Sequence, residues 1–142
     1  MKFCYEITGG DFSAGGSASS QVKKTLKQFN IAPQVLRRIA VALYEAEMNV
    51  VAHAWRGSMC VNINVDHLSV VVEDEGPGIE DIDRAMEEGF STATEEVRQM
   101  GFGAGMGLPN IRKNSDEMEL TSTPGIGTRL ALTIRFKPCI ES

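Results

Sequence analysis

From Gly101 to Gly107 every second residue is glycine, in the run Gly101-Phe102-Gly103-Ala104-Gly105-Met106-Gly107-Leu108. Such a stretch cannot fill a core or hold a good helix, because glycine has no side chain and loses the most backbone freedom on ordering. It can instead turn successive backbone N–H groups toward an anion, beside a helix expected from about Gly107 to Asn114. The run reads as a phosphate cradle, with a flexible hinge as the plainer alternative. It is not a Walker A loop, since G-x-x-x-x-G-K-[ST] is absent. It is not a dinucleotide fingerprint either, since no strand leads directly into it and its glycines are spaced by two.

Two upstream segments give the cradle a context. A helix is expected from Pro33, a residue suited to a first helical position, to about Trp55. Leu36, Ile39, Ala40, Leu43, Ala46, Val50 and Ala54 fall on one face of it, which should meet a sheet. Glu45, Asn49 and His53 follow one another at successive fourth positions and form a polar stripe to the side. A carboxylate one turn before a carboxamide suits phosphoryl transfer. The amide oxygen is a hard ligand for Mg²⁺, and the carboxylate can orient and deprotonate an attacking hydroxyl. A solvated helix face is the plainer reading of the stripe. Glu47 lies about 200° away around the helix, on its apolar side, where a buried pairing with an arginine is the one partner considered. Further on, Val70-Val71-Val72-Glu73 reads as a strand that delivers Asp74 to its end, followed by Glu75-Gly76-Pro77-Gly78-Ile79. Two glycines there let the backbone turn close to a ligand. A partly buried Asp74 can accept a hydrogen bond from the exocyclic amine of adenine and reject guanine, although a surface turn fits the same residues.

The remaining pattern sets the fold class. Alternation at Phe3, Tyr5 and Ile7 gives a first strand over residues 1–8. Gly9 to Ser20 is a Gly/Ser-rich turn offering Ser17, Ser19 or Ser20 as a helix cap, and Val22, Thr25, Leu26 and Phe29 follow helical spacing to about Asn30. Residues 59–65 and 68–73 read as two strands joined at Asp66-His67, and 80–88 as a short amphipathic helix. Residues 118–122 and 129–136 close the chain as a hairpin around Pro124-Gly125-Ile126-Gly127. Strands first and last with helices between predict an α/β (α+β) two-layer sandwich. Its sheet would be mixed or mostly antiparallel, with the helices on one face. No internal repeat or linker is seen, and residues 1–142 read as one domain.

Taken together and in this order, the three segments resemble the N box, the D-x-G-x-G box and the G-x-G-x-G box of the GHKL ATPase/kinase superfamily. That superfamily includes DNA gyrase B, heat-shock chaperones of the 90-kDa class, histidine kinases and MutL-type repair proteins. The resemblance implies the Bergerat ATP-binding fold, ATP and ADP as ligands, and Mg²⁺. It implies Glu45 as catalytic base and Asn49 as the residue that holds the metal. Asp74 would read adenine, with Gly76, Gly78 and Ile79 around the base and Thr128 supporting the aspartate. A mobile ATP lid would span about residues 89–107, so that Ser91, Thr92, Gly101, Gly103, Gly105, Met106, Gly107 and Leu108 would lie against the nucleotide. His53 would contact phosphate or simply cap the helix end.

Within the superfamily, the stretches Asp74 to Asp81 and Gly89-Phe90-Ser91-Thr92 look most like the small serine/threonine kinases that act as bacterial anti-sigma factors or stress-response switch kinases. Such kinases phosphorylate a Ser or Thr on a small STAS-domain antagonist and often grip a sigma factor as well. A homodimer is compatible with the resemblance. The chain departs from the shortest of these kinases at residues 93–100, which lengthen the lid. A nucleotide-gated binding module without phosphate transfer is the alternative from another class, and a detached histidine-kinase ATPase domain is a third. Retention of Glu45 favours the enzyme. His53 and His67 make poor phosphate acceptors, one inside the helix motif and the other between two strands.

Composition narrows the partners. Net charge is -5, and Lys and Arg are scattered, so nucleic acid and anionic membrane surfaces are poor candidates. The apolar runs fall far short of the roughly 18 residues that a membrane span needs. Met1-Lys2-Phe3-Cys4 leads directly into a strand and does not read as a signal peptide. Cys4, Cys60 and Cys139 are odd in number with no C-x-x-C, which predicts buried or half-buried thiols, no structural zinc and a reduced cytoplasm.

Overall fold

The computed structural model describes residues 1–87 and 107–136. Its strands are β1 (Lys2–Thr8), β2 (Arg56–Ile63), β3 (His67–Glu75), β4 (Glu117–Thr123) and β5 (Gly127–Arg135). Its helices are α1 (Ser17–Leu26), α2 (Pro33–His53), α3 (Ile82–Ala85) and α4 (Gly107–Lys113). The strands form one sheet in the order β1-β2-β3-β5-β4, and every neighbouring pair is antiparallel. The mixed sheet admitted by the sequence is thus an antiparallel one.

Alternation decides which face is covered. Met59, Val61 and Ile63 of β2, Leu68, Val70 and Val72 of β3, and Leu130, Leu132 and Ile134 of β5 are buried, while the intervening Glu73 and Arg129 are exposed. Val22 and Leu26 of α1 and Leu108 and Ile111 of α4 join the same core from the helical side. The two layers expected from the order of elements are therefore present.

Pro33 opens α2 at its first turn, as its spacing predicts. Ile39, Leu43, Ala46 and Val50 are buried as the single-stripe reading requires. Val35, Ala42, Met48 and Val51 are buried too, so the apolar arc is wider than one stripe. The cause is that α2 is the central helix, touching α1, α4 and the sheet. Glu47 is also buried, and no arginine meets it. Its carboxylate accepts hydrogen bonds from the backbone N–H groups of Gly16 (3.0 Å), Ala18 (3.2 Å) and Ser19 (2.9 Å). These are donors that the first turn of α1 leaves without intrahelical partners. None of Ser17, Ser19 or Ser20 caps α1 with its side chain. Gly16 occupies the cap position, and the capping carboxylate comes from α2.

Three further corrections concern extent and cysteine. α1 ends at Leu26 and the chain tightens through Gln28 N–H to Thr25 O and Phe29 N–H to Leu26 O, which leaves Phe29 exposed. The helix expected over 80–88 is the single turn α3, capped by Asp81, whose side chain accepts from Arg84 N–H. Cys4 and Cys60 are not thiols. Residue 4 of β1 lies opposite residue 60 of β2 and the two sulfurs are bonded, with Cys4 on the exposed side of its strand. Cys139 lies outside the described residues.

Candidate functional site

The adenine-reading residues sit in one row of the sheet register. Across the strands, Ile7, Gly57, Asp74, Thr128 and Ser122 are successive partners, all on the helix-covered face. The next row inward is Tyr5, Met59, Val72, Leu130 and Leu120, which belongs to or packs on the core. Asp74 therefore stands one row beyond the apolar interior, where a carboxylate is half-buried. One oxygen accepts from Thr128 N–H at 3.1 Å. Burial raises the Asp74 pKa above the ordinary carboxylate value, and the bond from Thr128 opposes that only in part. A carboxylate so placed gains from any donor that approaches its other oxygen.

The turn after Asp74 is held by the β4–β5 hairpin. Gly76 N–H donates to Ile126 O (3.0 Å), Gly125 N–H to Pro77 O (2.7 Å) and Ile79 N–H to Ser122 Oγ (2.7 Å). Gly78 has φ 73, and a Cβ there would lie 2.5 Å from Thr123 O. Its side-chain-free, left-handed backbone is required by the hairpin at its back. Gly76 is pressed against the end of α2, a Cβ there falling 2.9 Å from Ala54 Cα. Ile79 is half-buried and packs on the core.

The α2 motif forms the opposite wall. Glu45 and Asn49 are half-buried on one flank, and among the described residues their side chains have no hydrogen-bond partner. Gly107, the first residue of α4, faces them. A Cβ on it would stand 3.4 Å from Glu45 Oε2 and 4.0 Å from Asn49 Oδ1. The absence of a side chain at Gly107 keeps that flank open. Leu108, next in line, is buried in the core, so it anchors α4. His53 closes α2 beside the Gly76 turn, half-buried, and burial lowers its pKa below the ordinary histidine value. It is a neutral ring at neutral pH. Ser91, Thr92, Gly101, Gly103, Gly105 and Met106, with most of the expected lid, lie outside the described residues.

The structure thus brings the first motif against the last glycine of the third, and the second against the closing hairpin. Residues 34–138 match the family described as histidine kinase-, DNA gyrase B- and HSP90-like ATPases. The chain belongs to this ATPase family. The serine/threonine-protein kinase RsbT of Bacillus subtilis is 36% identical over 97 residues, which is 66% of this chain and 67% of that protein. An anti-sigma F factor of a Thermoanaerobacter species is 37% identical over 100 residues, 67% of this chain and 66% of the relative. The chain spans about two thirds of the length of these two relatives. Among solved structures, the SiaB–SiaC complex of Pseudomonas aeruginosa contains a chain similar at TM-score 0.65 and 14% identity, with 93% of this chain and 88% of that one covered. The RsbU and RsbW domains of a Mycobacterium tuberculosis protein give TM-score 0.63 at 16% identity, over 96% of this chain and 33% of that one. At such identities these likenesses speak for the shared ATPase fold alone.

Two residues of the site in this family member were not singled out from the sequence. Gly57 is the register partner of Asp74, and a Cβ there would lie 3.1 Å from Asp74 Cβ and 3.0 Å from Val50 Cγ1. Any side chain would push the aspartate aside. Ser122 touches both Ile79 and Thr128. A glycine early in a strand was the available signal for the first. Nothing in the pattern marks the second.

Proposed function

We propose that the chain is an ATP-dependent serine/threonine protein kinase of the anti-sigma-factor or switch-kinase type, acting on a small STAS-domain antagonist and regulating a sigma factor. The observation that carries the reading is the open flank of α2, where Glu45 and Asn49 face Gly107 without other partners. It stands on the same face of the molecule as the Asp74–Thr128 pair. Membership of the ATPase family and the kinase and anti-sigma names of its relatives support it.

In this reading Asp74 accepts from the adenine amine, and the Gly76–Ile79 turn backs the base. The donor set fits Mg²⁺ of the kind that keeps waters and phosphate oxygens. Among the described residues no cluster of three or more His, Cys, Asp or Glu could cage a metal, whereas Asn49 offers one hard oxygen. Magnesium held there would neutralise charge on the phosphates. Glu45, one turn away, orients the acceptor hydroxyl and takes its proton. The oxygen bonds to the γ-phosphorus as the bond to the β–γ bridging oxygen breaks and ADP leaves. The reading sets the protein in the cytoplasm, where sigma factors act. Among the described residues no helix is long and apolar enough to cross a membrane.

Calorimetry with ATP, ADP and GTP, with and without Mg²⁺, tests the site. Incubation of the protein with ATP and candidate STAS partners, followed by phosphosite mapping, tests the reaction. Mg²⁺-dependent adenine-nucleotide binding and a phosphoserine or phosphothreonine are expected. Equal affinity for GTP would refute the adenine assignment. A stable ATP-dependent complex without transferred phosphate would move the protein to the binding-module class.

A further inference from the structure

The hydroxyl of Ser122 is placed between two parts of the adenine end that have no other link through a side chain. Ile79 N–H donates to Ser122 Oγ at 2.7 Å. The same oxygen lies 3.0 Å from Gly127 O and 2.8 Å from Thr128 Oγ1. A hydroxyl has one proton, so Ser122 can donate to Gly127 O or to Thr128 Oγ1, not to both. The choice is transmitted. If Ser122 donates to Gly127 O, Thr128 must donate back to Ser122 to keep their 2.8 Å bond, and Thr128 then presents only lone pairs to the pocket. If Ser122 donates to Thr128 Oγ1, the Thr128 proton is free to point along the row toward Asp74 and the ligand.

Adenine presents its amine donor next to the N1 acceptor, whereas guanine presents a carbonyl next to an N1–H donor. Asp74 matches the first feature of adenine. A donating Thr128, directly or through one water, matches the second. We infer that Ser122 is a specificity-determining positioning residue, which fastens the Ile79 turn and, by donating to Thr128 Oγ1, turns the Thr128 hydroxyl into a donor for the acceptor edge of adenine. The inference rests on the ATP-site reading above. It adds a residue that works through Thr128 and touches no substrate itself.

The test uses the full chain, with ATP and 1-deaza-ATP, in which the N1 acceptor is replaced by C–H. Ser122→Thr and Ser122→Val are compared, since both are β-branched and suit a strand, and only the first keeps the hydroxyl. The wild type and Ser122→Thr should bind ATP about tenfold more tightly than 1-deaza-ATP, the scale of one hydrogen bond. In Ser122→Val that ratio should fall toward one, and preference for ATP over GTP should narrow with it. A structural role alone would weaken both nucleotides by one common factor and leave the ratio unchanged, which would overturn the inference. Identical ratios in the Thr and Val variants would overturn it as well. Should Ser122→Val not fold, Ser122→Ala supplies the hydroxyl-free arm. A wild type that binds no adenine nucleotide would refute the ATP-site reading itself, an outcome distinct from an unchanged ratio in a protein that does bind ATP.

Discussion

Glu45 and Glu47 lie two residues apart on α2 and meet opposite surroundings. Glu47 is buried, and three backbone donors from the start of α1 occupy its oxygens. Glu45 is half-buried, with no partner among the described residues and only the bare Gly107 before it. One carboxylate is consumed in joining helices, and the other is left for chemistry. The helical repeat sends the two to opposite flanks, so a single element serves both purposes without compromise. Identical residue type in nearly identical sequence context therefore says little about role until the packing partners of each flank are known.

The contrast can be broken by exchanging losses. Glu45→Ala should lower phosphate transfer by about 10²-fold or more, as expected for a lost general base, with ATP affinity within a few-fold of wild type. Rapid-quench transfer assays beside calorimetry check both halves. Glu47→Ala should instead destabilise the fold by about 2–4 kcal/mol in urea melts, since it orphans several donors at a helix start. The folded fraction should still transfer phosphate. If the two variants swap behaviours, the assignment of the flanks is wrong.

Asp74→Asn tests the other wall. It should weaken adenine-nucleotide binding by roughly 1–3 kcal/mol, through loss of a charge-assisted bond. Stability of the nucleotide-free protein should not suffer. A group whose folded pKa is raised gives stability that is present below its unfolded value and lost as pH rises through the folded one. At neutral pH the ionised Asp74 is thus already a cost to the fold, and the amide removes it. A thermal melt showing a large loss in Asp74→Asn would contradict this. The smallest effect is expected at His53, whose pKa is lowered by burial. Its contribution is present above the ordinary histidine value of 6.5 and is lost as pH falls below it. His53→Gln should flatten the stability profile between pH 7 and 5. An unchanged slope would assign the acid sensitivity elsewhere.

The parts of this molecule legible from sequence are those that depend on near neighbours. Pro33 and the period of Ile39, Leu43, Ala46 and Val50 set α2, and alternation set β2, β3 and β5. Asp74 and Thr128 were readable because each closes or opens a strand in a recognisable motif. What escaped depends on contacts distant in sequence. Glu47 finds its donors some 30 positions upstream, with separations of 31, 29 and 28. Gly57 and Ser122 matter only through the register that lines them up with Asp74 and Thr128. Helix limits failed where a tightened turn at Thr25–Phe29 or a single-turn α3 ended a pattern that side-chain spacing alone would have continued.

The bond between Cys4 and Cys60 has a topological consequence. The two residues are separated by 56 positions, and the loop they close contains all of α1 and α2, with Glu45, Asn49 and His53 inside it. A protease that nicks the exposed turn before α1 would therefore sever the chain without releasing either piece. The first strand would stay tethered to the sheet, and only a reductant would let it go. For as long as the bond is closed, β1 cannot be traded with a second molecule in a strand exchange. Each copy must build its α2 flank against its own β1.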